Sequence, residues 1–152
     1  MPGPLTVDAS VFLNAFNPAE PRHADSARLM ERVRAETIPL VAPTLVLPEV
    51  AATISRTIGN AETARRFAEE LRRLPGLILV VLDEALAMQA AQIASEHRLR
   101  GSDALYAAVA LRFGSPIVTL DREQHARLKP IVPARYPQEM LGELGQASAG
   151  SR

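Results

Sequence analysis

The sequence predicts a single α/β domain built on a mainly parallel sheet of four to five strands. Three observations carry this expectation. Short runs rich in β-branched and aliphatic residues alternate with longer segments of helical periodicity along the chain, the pattern of strand–helix–strand units around a parallel sheet. Apolar residues make up 47 % of the chain and aromatic residues only 4 %, so the core must be packed from Ala, Leu, Val and Ile. The 152 residues contain no internal repeat and no linker-like stretch, and that length suits one domain with a real core.

Leu5-Thr6-Val7 reads as a first strand ending at Asp8, and residues 8–13 then turn into helix. Asn17-Pro18 and Glu20-Pro21 mark a break. Residues 24–34 place Ala27, Leu29, Met30 and Val33 at helical spacing, with Arg28, Arg32 and Arg34 opposite: an amphipathic helix. Leu40-Val41-Ala42 is the second strand, closed by Pro43. Thr44 is placed to cap a helix over 45–58 whose apolar stripe is Val46, Val50, Ile54 and Ile58. Pro48 is tolerable there because the first turn of a helix has few paired amides. Asn60 caps a charged helix running to Leu74, which Pro75-Gly76 ends. The continuous aliphatic run 78–82 suggests a buried parallel strand, peripheral in the sheet. Asp83 then caps a helix reaching about His97.

Residues 98–121 form the most informative stretch. Ser102 is a good N-cap and Asp103 falls in the first turn of a helix that is apolar nearly all round, so the helix is expected to be buried. Gly114 and Pro116 stop it, and Ile117-Val118-Thr119-Leu120 forms a strand ending at Asp121. A helix of this length and the strand after it each span roughly 16 Å. The chain goes down one and back up the other, so Asp103 and Asp121 finish on the same edge. A short helix is expected near 123–128, a last edge strand at 130–133, and a disordered polar tail over 145–152 after a domain of residues 1–144.

In a parallel sheet, strand C-termini and the N-termini of the following helices share one edge, where ligands bind. Asp8 ends the first strand, Glu49 lies early in the helix after the second, Asp103 starts a helix, and Asp121 ends the strand it feeds. All four should converge. Each also has an ordinary reading: Asp103 and Asp121 as helix-start or cap residues, Glu49 as a solvated helix residue. Clustered acids raise one another's pKa or gather a cation. An all-oxygen set suits Mg²⁺ or Mn²⁺, and such an ion supports phosphodiester hydrolysis by water.

Composition removes other chemistries. With no cysteine there are no disulfides, thiolate metal sites or cysteine nucleophiles, in keeping with a reducing compartment. No apolar run approaches the ~20 residues of a membrane helix, and the N-terminus lacks the form of a signal peptide, so a cytoplasmic protein with no membrane association is expected. The formal net charge is zero; any contact with a polyanion must rest on local patches. His23, His97 and His125 have no ligand spacing to one another and are expected at the surface. Arg65-Arg66 and Arg72-Arg73 read as the wet face of a helix. Arg98 and Arg100, near Asp103, are open to phosphate contact or carboxylate pairing.

The segments VDAS near the N-terminus, PEV, SDALYAA and VTLD together resemble a PIN-domain ribonuclease, and most of all the VapC-type toxins of toxin–antitoxin pairs. The resemblance covers residues 5–133. It implies a three-layer α/β/α PIN-like domain and carries four acids onto Asp8, Glu49, Asp103 and Asp121, as catalytic residues and metal ligands. Two supporting hydroxyl positions fall on Ser10 and Thr119. It further implies Mg²⁺- or Mn²⁺-dependent cleavage of RNA, a homodimer, and an antitoxin protein wrapping the toxin. Leu29, Met30, Phe67 and Leu71 could line a groove for a helix of that partner, or be core or dimer contacts. Pro48, directly before the acid, departs from the pattern and could tilt Glu49. Two rival readings remain: a phosphohydrolase with Asp8 as nucleophile, against which Ser10 occupies the position two residues on where such enzymes want a second acid, and a catalytically inactive PIN-like binding domain.

Overall fold

The computed structural model describes residues 2–150. In chain order these form β1 (Leu5–Val7), α1 (Ala9–Ala15), α2 (His23–Ala35), β2 (Leu40–Pro43), α3 (Val46–Ile58), α4 (Ala61–Arg72), β3 (Leu77–Val80), α5 (Glu84–His97), α6 (Gly101–Phe113), β4 (Ile117–Val118), α7 (Arg122–Leu128), β5 (Ala134–Arg135) and α8 (Pro137–Gly150).

The strands make one sheet in the order β3-β2-β1-β4-β5, with every neighbouring pair parallel. β1 is central: Leu5 pairs with Leu40 on one side, and Thr6 and Val7 pair with Ile117 and Val118 on the other. The chain winds outward from β1 through β2 to β3, then crosses back to lay β4 and β5 on the far side. The direction of winding therefore reverses between β1 and β4, which opens a crevice at their carboxyl ends.

Strand alternation divides the core into two layers. Leu5, Val7, Leu40, Ala42 and Val118 face a cluster shared with Phe12, Leu29, Val33, Val46, Val50 and, from α8, Met140 and Leu144. Val41 and Ile117 point the other way, onto Leu86, Ile93, Leu128 and the length of α6. Helices thus cover both faces, as the three-layer expectation requires. α6 is buried from Asp103 through Ala110. Its alanines let it lie close against the sheet, and Tyr106 fills the space they leave. Large side chains buried completely, such as Phe12, Tyr106 and Leu86, each contribute about 1.5–3 kcal/mol. Thr6, on the same strand as two core aliphatics, is satisfied by a 2.6 Å hydrogen bond to Ser115.

Local structure differs from the sequence expectations at five places. α6 begins at Gly101 with Arg100 as its N-cap and no side-chain cap, so Ser102 lies inside the first turn. α3 has Leu45 as N-cap rather than Thr44; Thr44 contributes its backbone carbonyl to Leu47 N instead. The final edge strand is Ala134–Arg135, beyond the prolines, because β4 pairs Ile117 with Ala134. β3 lies at the sheet edge, as its peripheral reading expects, but it is not buried: Ile78 is 44 % exposed, and Val81 and Leu82, outside the strand, are exposed too. A continuous aliphatic run reports strand propensity, and it does not say whether a neighbour lies on both sides. Lastly, the stretch expected to be disordered from 145 on is helical through Gly150. Leu144 is buried in the core and its carbonyl accepts from Arg32 Nη2 at 3.2 Å, and the residues after it contain no proline to stop the helix. Residues 151 and 152 lie outside the described residues.

Candidate active site

The crevice at the carboxyl ends of β1 and β4 is a cavity of about 740 Å³ whose wall includes Asp8, Ser10, Glu49, Arg100, Ser102, Asp103, Asp121 and Gln124. All four predicted acids are therefore brought to one place, each by a different piece of local structure.

Asp8 follows β1 and is the N-cap of α1. Its Oδ2 accepts from Ser10 N at 3.1 Å and from the Thr119 hydroxyl at 3.4 Å. Asp103 sits in the first turn of α6. Both are 8 % exposed. Glu49 lies in the first turn of α3, half-buried; Pro48 leaves the helix unbroken, and Glu49 N still donates to Leu45 O at 3.2 Å. Asp121 is the N-cap of α7, its Oδ1 accepting from Glu123 N at 2.9 Å and Gln124 N at 3.2 Å. It thus has the capping role and the site position at once. Ser10 and Thr119 tie the two strand ends together: Ser10 Oγ accepts from Leu120 N, and Thr119 Oγ1 accepts from Asp121 N, both at 3.0 Å.

Three residues of the site carry no sequence expectation. Tyr106, fully buried on α6, donates its hydroxyl to Glu49 Oε1 at 2.7 Å. Its place three residues after Asp103, on the same helix face, is the signal that could have found it. Gln124 Nε2 lies 3.4 Å from Asp8 Oδ1 and 3.3 Å from Asp103 Oδ1. Arg127 Nη1 is 3.8 Å from Asp103 Oδ2 and its Nη2 is 3.4 Å from Glu123. Of the two arginines singled out beside Asp103, Arg100 lines the cavity and pairs with Glu123 at 3.7 Å. Arg98 is the left-handed C-cap of α5 and is exposed.

Burial dominates the electrostatics. Desolvation raises the pKa of Glu49, the Tyr106 hydrogen bond opposes the rise, and the charges of Asp8 and Asp103 add to it. Asp103 is also raised, first by desolvation; the Gln124 hydrogen bond, Arg127 and Arg100 pull it down while Asp121 pushes it up. The helix N-terminus does not leave Asp103 below its usual range, since loss of water outweighs it. Tyr106 is pushed well above 10 by burial and by the acids around it, so it stays a donor throughout the working pH range.

Elsewhere, Asp83 caps α5 through Leu86 N at 2.8 Å, as its sequence context suggests. His97 is exposed. His23 is partly covered and its Nδ1 bonds Asn14 O at 2.8 Å. His125 is partly covered and not fully at the surface: its side chain is 12 % exposed, stacks on Tyr136 at 4.1 Å and bonds Glu139 at 3.2 Å. Among the described residues no group of three or more His, Cys, Asp or Glu stands ready to hold a metal ion. The gathered acids offer instead a buried pair, Asp8 and Asp103, joined by one amide.

The chain belongs to the PIN domain family, whose pattern matches residues 5–129. No curated protein matches it in sequence. Among solved structures it is similar to VapC20 of Mycobacterium tuberculosis, a sarcin-ricin loop cleaving toxin, with a TM-score of 0.66 and 22 % identity over 80 % of this chain and 93 % of that one. VapBC2 of Rickettsia felis, bound to a promoter DNA fragment, gives 0.67 and 14 % identity over 88 % and 98 %. FitAcB of Neisseria gonorrhoeae gives 0.65 and 18 % over 88 % and 98 %. These likenesses show a shared fold. No helix among the described residues is long and apolar enough to cross a membrane.

Proposed function

We propose that this protein is a Mg²⁺- or Mn²⁺-dependent endoribonuclease and the toxin of a toxin–antitoxin pair, working in the cytoplasm. The observation that carries the reading is the buried pair Asp8 and Asp103 at the sheet's switch point, with Glu49 and Asp121 in the wall of the same cavity. The donor set fits a hard divalent cation. Mg²⁺ is commonly held by one or two carboxylates, with waters and phosphate oxygens completing its shell, and Asp8 and Asp103 supply such a pair. Glu49 and Asp121 are then placed to hold its waters or the substrate. A cation bound there supplies Lewis acidity toward the phosphodiester.

The chain's own residues do the rest. Glu49, made more basic by burial and fixed at Oε1 by Tyr106, takes the proton of the attacking water at Oε2. Arg100, at the cavity wall, meets the RNA backbone. Water attacks phosphorus, the bond to the 3′ oxygen breaks, that oxygen takes a proton from solvent water, and the products carry 5′-phosphate and 3′-OH ends. Cleavage of RNA in Mg²⁺ or Mn²⁺ should vanish in EDTA and fall by orders of magnitude in Asp8→Asn. Full activity in EDTA, or 2′,3′-cyclic phosphate ends, would sink the mechanism. A phosphate-monoester substrate in the same assay addresses the phosphohydrolase alternative, in which Asp8 is the nucleophile; Ser10 at the position two residues on, where such enzymes want an acid, weighs against it. Metal-independent RNA binding without cleavage would favour the inactive binding domain.

For the antitoxin, an apolar cavity of about 810 Å³ between α2 and the start of β3 is lined by Phe16, Met30, Ile38, Leu74, Leu77 and Ile78. Phe16 also borders the acidic cavity and packs edge-to-face on Phe67 at 6.2 Å. A partner helix seated there would have a short path to the acids. Leu29 and Leu71 take no part in that groove, being buried in the core. Co-expression with an adjacent small gene should give a stable complex and abolish toxicity. A homodimer belongs to the same proposal, and sedimentation of the purified protein checks it.

A further inference from the structure

Gln124 is a neutral side chain, 5 % exposed, set between two buried carboxylates. Its Nε2 carries two hydrogens, and Asp8 Oδ1 at 3.4 Å and Asp103 Oδ1 at 3.3 Å are there to take them. One amide therefore spans the acid that ends β1 and the acid that begins α6. Its Oε1 is buried without a hydrogen-bond partner. Turning the amide over would aim that oxygen at two carboxylates, so only one orientation is open to it. A buried carbonyl without a partner is a standing cost, and the position keeps it.

The sequence around Gln124 explains its freedom to point inward. Asp121-x-x-Gln124 has the spacing of a capping box, in which the fourth residue reaches back to the first residue's amide. Here that amide is already taken, since Asp121 N donates to Thr119 Oγ1 at 3.0 Å. The Gln124 side chain turns to the acids instead.

We propose that Gln124 is a positioning residue that fixes the separation of Asp8 and Asp103 and so sets the affinity of the site for a divalent cation; assigning the pair to a cation rests on the function proposed above. The other oxygens are steadied independently. Asp8 Oδ2 accepts from Ser10 N and Thr119 Oγ1, and Asp103 Oδ2 faces Arg127 at 3.8 Å. With Gln124 on the Oδ1 atoms, rotation of both carboxylates is restrained from both sides. A lysine in its place would cancel one of the two charges and compete with a cation. Glutamine orders the acids and leaves their charge intact. Groups that orient metal ligands in this way typically account for 10–100-fold in affinity.

The test is Mn²⁺ binding to the purified protein, read by electron paramagnetic resonance, with thermal midpoints taken with and without Mn²⁺. Gln124→Met keeps the volume and removes the amide; its Mn²⁺ affinity should fall by about tenfold or more. Wild-type Mn²⁺ affinity in Gln124→Met overturns the proposal. Should that variant fail to fold, Gln124→Asn decides: it keeps the amide but is one methylene too short to span both acids, and wild-type Mn²⁺ affinity in it overturns the proposal equally. A wild type that binds no Mn²⁺ overturns it outright. A wild type that binds Mn²⁺ and cleaves no RNA sinks the nuclease function and leaves the affinity comparison valid.

Discussion

Tyr106 brings a hydroxyl where solvent does not reach and donates it to Glu49. Replacing it by Phe keeps the ring and deletes one donor. Because that bond opposes the rise in Glu49's pKa, its loss should move the pKa further up. The acid limb of the RNA-cleavage pH profile should then shift to higher pH in Tyr106→Phe, while stability changes by only about 1 kcal/mol. An acid limb that stays in place would show that Glu49 is not the group titrating in turnover. Asp8, Glu49, Asp103 and Asp121 were legible as a set because each sits where a strand ends or a helix begins. Gln124, Tyr106 and Arg127 were not. Their sequence neighbourhoods describe, respectively, a capping box, a buried apolar helix and an i,i+4 ion pair, and only the tertiary fold turns those side chains toward the acids.

Helix starts carry most of the site, and two of them separate capping from chemistry. Asp121 and Asp83 both cap helices by accepting backbone N–H groups, but only Asp121 lines the cavity. Asp83→Ala should cost about 0.5–2 kcal/mol and leave cleavage unchanged. Asp121→Asn should keep the cap and lose activity, and Asp121→Ala should lose both. Chemical denaturation and turnover on the three variants check this; full activity in Asp121→Asn would remove that acid from the site. Element boundaries were readable where a local signal stands alone, as at Asn60, whose side chain accepts from Thr63 N. They were misread where two signals compete. Ser102 and Thr44 are good caps by composition, yet α6 is capped by Arg100 and α3 by Leu45, neither with a side-chain cap bond; Leu45 packs on the core.

For the whole molecule, the collected acids set a pH dependence. The raised pKa values of Glu49 and Asp103 mean that the folded protein holds protons the unfolded chain has released. These groups therefore oppose folding at neutral pH. The opposition fades as pH falls through their raised values and is gone below their ordinary values of 4.5 and 3.8. Asp103→Asn should accordingly have a higher metal-free midpoint than the wild type at pH 7, less the ~0.3–1 kcal/mol lost with the helix-dipole interaction. That advantage should shrink toward pH 4, and should shrink at pH 7 when Mg²⁺ is added. An advantage independent of pH would mean that the acids do not strain the fold. The parallel sheet and its two helical layers were readable from the alternation of strand and helix patterns. The peripheral place of β3 was readable too; its exposure was not, since an aliphatic run does not show what covers it.

The hydrogen bonds of Asp8 reach far along the chain: 111 residues to Thr119 and 116 to Gln124. During synthesis the first acid leaves the ribosome long before the groups that hold it in place. At about 5–20 residues per second, the interval is roughly 6–23 s. Through that time β1 has no β4 to pair with, and the crevice has only one wall. The crevice therefore stays unassembled by topology until the last third of the chain has emerged. Under the function proposed above, an antitoxin made alongside it gains those seconds to fold before the proposed site is assembled.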